Sequence, residues 1–181
     1  MKKILLIITG CFISTISFGQ NLNLNELVDL QDKNIAEVEE FLTSKGWEFI
    51  KAVEPKFQNK RDEKGRTYVT ISDASLLFAF DKAQNSNSAN AFINYFYRND
   101  QDAQNRIEIQ LTNKEKYTEL LNEIHNKNAE LKDSYVKDES LVKVYQNANT
   151  TFKISTSKQE TNADSNLYSV FIMNNDLYSK E

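Results

Sequence analysis

The sequence predicts an α+β fold: two tandem repeats of helix(es) plus a four- to five-stranded antiparallel sheet, with the helices on one face of the sheet. Three observations predict it. Apolar residues recur at helical spacing only in short acidic stretches near residues 26–42 and 113–124, while alternating β-branched and aromatic runs fill the segments between. The stretch Arg106–Tyr117 (RIEIQLTNKEKY) has an echo in Leu167–Tyr178 (LYSVFIMNNDLY). Further pairs, Ser75–Phe80 with Ser140–Tyr145 and Phe92 with Phe152, recur in the same order, which is the mark of an internal duplication. Residues 20–112 are the expected first repeat and 113–181 the second, the two forming one compact unit.

The chain of 181 residues opens on a basic Met1-Lys2-Lys3, an apolar run and small residues around Phe18, the pattern of a secretory signal peptide. Cleavage is expected after Gly19, so that residues 1–19 are removed and the protein is secreted or periplasmic. The minority alternative reads Ile8-Thr9-Gly10-Cys11 as a lipobox that anchors a lipoprotein at Cys11, although Phe12, Ile13, Ile16 and Phe18 extend the apolar run past it. Cys11 is the only cysteine, so loss of the leader leaves neither a disulfide nor a thiol ligand. The leader also removes Lys2 and Lys3, lowering 22 basic residues to 20 against 26 acidic ones and moving the net charge from −4 to −6. That sign disfavours nucleic acid as a partner. No later apolar run reaches the ~20 residues of a membrane-spanning helix.

Elements follow in order. Leu27, Val28 and Leu30 support a short helix, and Asn34-Ile35-Ala36-Glu37 is a capping box opening a second through Ile35, Val38, Phe41 and Leu42. Gly46 suits the left-handed position that ends it. Trp47–Val53 starts the sheet, and Glu54–Arg66, with Pro55 and Gly65, reads as an exposed hairpin loop. Strands are predicted at Thr67–Ser72, Ser75–Asp81, Phe92–Tyr97 and Arg106–Leu111. Thr112-Asn113-Lys114-Glu115 reads as another capping box, opening a helix through Tyr117, Leu120, Leu121 and Ile124, with Asn128 as its left-handed end. Four more strands fall at Leu131–Val136, Leu141–Gln146, Thr151–Ser157 and Leu167–Met173.

Catalytic signatures are sparse, and no catalytic residue, metal site or cofactor is predicted. His125, the only histidine, sits at a helix end where the dipole favours a solvated imidazole. The acidic loop Asn99–Asn105 lacks the glycine and closing carboxylate of a calcium loop. Gly46 and Gly65 alone cannot build a phosphate-cradling loop. Side-chain alternation is more informative. With Ile107, Ile109 and Leu111 turned toward the helices, Glu108 and Gln110 point outward; in the echo Phe171 and Met173 do so, and Phe92–Tyr97 puts aromatics on both faces. Tyr95, Tyr97, Phe171 and Met173 are therefore the expected binding residues of an exposed sheet face.

Ser44-Lys45-Gly46-Trp47 after an acidic amphipathic helix, together with the strand-Asn-x-x-x-Tyr unit, resembles a class of small exported bacterial proteins of unknown function. The architecture is similar to that of the β-lactamase inhibitory protein family. That resemblance implies a sheet surface that grips a partner protein. The expectation is an exported, non-catalytic binding or structural protein whose possible partner is a protein or cell-envelope component. The alternative is a small-molecule carrier or enzyme with a site in the cleft between repeats. Oligomeric state is left open.

Overall fold

The structure, a computed structural model, describes residues 22–82, 89–97, 105–158 and 165–178. The leader, Cys11 and residues 99–104 of the acidic loop lie outside them. Leu24–Asp29 is helix α1, continued by a 3-10 turn at Leu30–Asp32, and Ile35–Ser44 is α2. Asn23 and Asn34 each cap a helix by accepting from the amide of Glu26 and of Glu37, and each glutamate reaches back to the cap amide. Gly46, at φ +84°, ends α2 in the left-handed conformation. Lys114–Asn126 is α3. Its cap is Asn113, which accepts from the Lys116 amide, one residue later than the predicted capping box. Asn128 takes the left-handed conformation after it, at φ 56°.

Strands β1 (Trp47–Val53), β2 (Phe57–Arg61), β3 (Thr67–Ile71), β4 (Ala74–Phe80), β5 (Ala91–Tyr97) and β6 (Arg106–Leu111) precede α3. Strands β7 (Glu130–Lys137), β8 (Ser140–Gln146), β9 (Thr150–Lys158) and β10 (Asn166–Asn174) follow it, and a helical turn, α4 (Asn175–Tyr178), comes last. β2 and β3 form a separate two-stranded hairpin. The remaining strands form a single eight-stranded antiparallel sheet in the order β1-β4-β5-β6-β10-β9-β8-β7.

That sheet corrects the predicted fold class. The chain does not fold as two tandem repeats, each with its own small sheet; it is mostly one continuous sheet with a few short helices. The two stretches whose likeness suggested duplication are hydrogen-bonded neighbours at its middle. Ile107 lies opposite Ile172, Ile109 opposite Val170 and Leu111 opposite Tyr168. Central strands that bury the same face of one sheet share the same alternation, so their sequences read alike. Their pairing also satisfies backbone groups that two separate sheets would leave exposed at their edges.

The helices cover one face. Leu22, Leu24, Leu27, Leu30, Val38 and Leu42 join Leu120 and Ile124 in a single core with Trp47, Phe78, Ile93, Ile107, Ile109, Phe152, Val170 and Ile172. The N-terminal segment is fastened to α3, because the Leu24 amide donates to Glu123 Oε2 at 2.6 Å. Asn105 fastens the start of β6 to the 3-10 turn, donating to the carbonyls of Gln31 and Lys33. Among the described residues, no helix is long and apolar enough to cross a membrane.

Candidate functional site

Strand register decides which side chains share the face that carries no helix. Leu77 pairs with Asn94, Asn94 with Glu108, Glu108 with Phe171 and Phe171 with Lys153, giving one row across five strands. Ala79, Phe92, Gln110, Ser169 and Ser155 form the next row, and Ser75, Phe96 and Arg106 a third. A β-bulge between Phe49 and Lys51 then changes what β1 contributes. Phe49 lies opposite Phe78 on the helix side, yet Lys51 lies opposite Leu77 on the other. Without the extra residue, Ile50, regular alternation would put Lys51 on the face of Phe49.

Glu108 is the polar centre of this face. Its Oε2 accepts from Asn94 Nδ2 at 3.2 Å, and its Oε1 accepts from Gln110 Nε2 at 2.9 Å and from Ser169 Oγ at 3.1 Å. A carboxylate offers only acceptors, so both amides must turn their NH2 groups toward it. That fixes the direction of Asn94 Oδ1 and Gln110 Oε1, neither of which receives another hydrogen bond among the described residues.

Beside Glu108 the face hollows into a shallow basin of about 390 Å³ lined by Lys51, Val53, Ser75, Leu77, Phe92, Asn94 and Gln110. On the other side of Glu108 stand Phe96 and Phe171, their ring centres 5.6 Å apart. The Arg106 guanidinium lies 5.6 Å from each ring and forms an ion pair with Asp73. A smaller hollow of about 170 Å³ lies on the helix side, lined by Tyr117, Leu141, Lys143, Ile154 and Thr156.

The predicted binding residues are divided by this geometry. Phe171 lies on the helix-free face, half-buried beside Phe96. Tyr95 and Tyr97 do not lie with it. Tyr95 pairs with Ile107 and Leu76, which turns it toward the helices, where it is 1% exposed and donates its hydroxyl to the Lys33 carbonyl. Tyr97, half-buried, stacks on Tyr95 at 6.0 Å. Met173 does occupy the helix-free face opposite Thr151, but it is fully buried rather than exposed. It ends β10 where the chain turns into α4, and α4 contacts both β10 and β9. Asn175 holds that turn by donating to the carbonyls of Asn147 and Ala148 and accepting from Thr151 Oγ1.

Lys51, Phe92, Asn94, Phe96, Glu108, Gln110 and Ser169 were not among the predicted binding residues. The signal for three of them is visible: Asn94, Glu108 and Gln110 are polar positions that alternate with apolar ones within β5 and β6. His125 is exposed in the last turn of α3, its ring edge-on to Tyr145 at 5.2 Å. The described residues contain no group of three or more potential metal ligands among His, Cys, Asp and Glu. Comparison of the chain with protein-family models, curated proteins and solved structures finds no match.

Proposed function

We propose that this chain is an exported, non-catalytic binding protein that engages a protein or cell-envelope component through the helix-free face of its sheet. The observation that carries the reading is the composition of that face. The solvent side of an antiparallel sheet is ordinarily polar. Here Phe92, Phe96 and Phe171 are only half-buried on it, beside the Glu108 network and the basin. Half-exposed aromatics around organised polar groups have the composition of a recognition surface. The export step rests on the basic start, apolar run and small-residue exit of residues 1–19.

The test is retention of an envelope component from an extract of the source cells by immobilised protein lacking residues 1–19. Phe92→Arg and Ser155→Arg each place a bulky cation on the helix-free face, while Glu40→Arg alters the outer side of α2. Retention by the unmodified protein and by Glu40→Arg, lost with the two face variants, supports the proposal. Retention that ignores all three substitutions, or none at all, overturns it.

A further inference from the structure

We infer that the basin beside Glu108 is a binding site for a sugar bearing a carboxylate, an inference that rests on the sheet-face reading and narrows it to one ligand class. The basin's volume of about 390 Å³ lies within the ~300–1,000 Å³ typical of small-molecule sites. Its lining combines three chemistries. Phe92 and Leu77 supply an apolar surface suited to the C–H face of a pyranose ring. Asn94 Oδ1 and Gln110 Oε1 supply acceptors for ring hydroxyls, and their orientation is set in advance because Glu108 holds the NH2 ends of both amides. Ser75 adds a hydroxyl that can donate or accept.

Lys51 decides the charge of the ligand. It is the only cation lining the basin, and it forms no ion pair among the described residues. Its ammonium reaches this side of the sheet because of the bulge at Ile50. Glu48 shares this face of β1, opposite Ala79, but forms no ion pair with Lys51 among the described residues. Glu108, three strands away, already accepts from three donors. The basin therefore joins an organised set of hydroxyl acceptors to a single cation. A wholly apolar ligand would leave the two amide oxygens desolvated, and a small inorganic anion would use Lys51 alone.

The experiment is two-dimensional amide NMR of the protein lacking residues 1–19, titrated with millimolar glucuronate, glucose, acetate or inorganic phosphate. Glucuronate is expected to shift the amides of Ser75, Leu77, Asn94 and Gln110 in a saturable way, with glucose weaker and acetate and phosphate confined to the neighbourhood of Lys51. Lys51→Gln is expected to weaken glucuronate binding roughly ten-fold, the loss expected for a charge-assisted hydrogen bond, whereas Lys51→Arg retains it. Gln110→Met removes one acceptor and weakens glucose and glucuronate alike. Equal shifts with phosphate and glucuronate, shifts outside the basin, or none with glucuronate overturn the assignment. If none appear while envelope retention remains sensitive to Ser155→Arg, the ligand class fails and the sheet-face reading stands. If that retention is also insensitive, both fail.

Discussion

The Tyr95 hydroxyl donates to the backbone carbonyl of Lys33 across the helix-side core, 62 residues away in sequence. The same carbonyl also accepts from Asn105 Nδ2 at 3.1 Å. Tyr95→Phe therefore leaves the carbonyl with a partner, and the expected loss is about 1 kcal/mol in urea denaturation, the net value of one hydrogen bond. Asn105→Ala on that background should lose more than the two single changes added together, because the second substitution removes the remaining donor.

Burial pushes the Tyr95 phenol up to about 12, and the charges of Glu37 and Tyr97 act in the same direction. In the unfolded chain the same group titrates near 10.0. Between those values the unfolded state has released its proton while the folded state keeps it, so stability falls as pH rises. The contribution is complete below the lower value and lost on passing the upper one. Thermal midpoints measured across this alkaline range should decline less steeply for Tyr95→Phe than for the unmodified protein. Equal slopes would remove Tyr95 as the cause.

Glu26 gives the opposite dependence. Burial works to raise its pKa, but the hydrogen bond from Lys45, the Asn23 amide and the charges of Lys45 and Lys116 together hold it below its ordinary 4.5. A carboxylate lowered in the folded state stabilises above its unfolded pKa, and that contribution is lost as pH falls through the folded one. Glu26→Gln should flatten the acid limb of the stability profile. Lys45→Met, which removes the 2.6 Å ion pair, should shift the acid-unfolding midpoint upward.

Local structure was largely legible because it depends on nearby residues. The Asn34–Glu37 box, the left-handed Gly46 and Asn128 and most strand positions follow from caps, turn chemistry and alternation. The joining of β6 to β10 depends on which distant edges meet, and alternation in Ile107–Leu111 and Leu167–Met173 cannot state it. The same gap hid the candidate site. Alternation alone separated Tyr95 from Phe96, but only the pairing of Tyr95 with Ile107 assigns it to the helix side. Nothing in Phe49-Ile50-Lys51 announces the bulge that turns Lys51 toward the basin. The turn at Asp138–Glu139, with φ of 48° and 61°, likewise puts two non-glycine residues in a conformation that Asn-Gly would have signalled.

Gly46 and Asn128 separate backbone strain from packing. A Cβ at Gly46 would meet Phe80 Cε2 at 3.8 Å, an ordinary contact, so the expected loss of about 1 kcal/mol in Gly46→Ala comes from its positive φ. Asn128→Ala should also destabilise, whereas Asn128→Gly should not. Chemical denaturation of the three variants checks both statements.

Arg106 lies over the rings of both Phe96 and Phe171 while paired with Asp73, and the side chains of Arg106 and Asp73 are 20% and 13% exposed. Arg106→Met removes the charge but keeps part of the packing, leaving a mostly buried carboxylate without this cation. The expected loss is roughly 1–3 kcal/mol, below the range for a fully buried pair. Asp73→Asn combined with Arg106→Met should lose less than the sum of the single changes, with a coupling of at least ~0.5 kcal/mol. Strict additivity in a double-mutant cycle would show that the pair contributes nothing of its own.

Glu108 gathers donors from three strands, since Asn94 is on β5, Gln110 on β6 itself and Ser169 on β10. Glu108→Gln keeps the shape but replaces one acceptor oxygen with a donating NH2, which must then face at least one donor that pointed at it. The expected loss is about 1 kcal/mol, at the low end of the range for an unsatisfied buried group, because Glu108 is only half-buried. Glu108→Met removes the acceptor altogether and should lose at least as much. Ser169→Ala, which deletes only the donor from β10, should lose less, because Asn94 and Gln110 still satisfy the carboxylate. If Ser169→Ala proves as damaging as Glu108→Gln, the amides do not hold Glu108 and their own carbonyl oxygens are not fixed toward the basin.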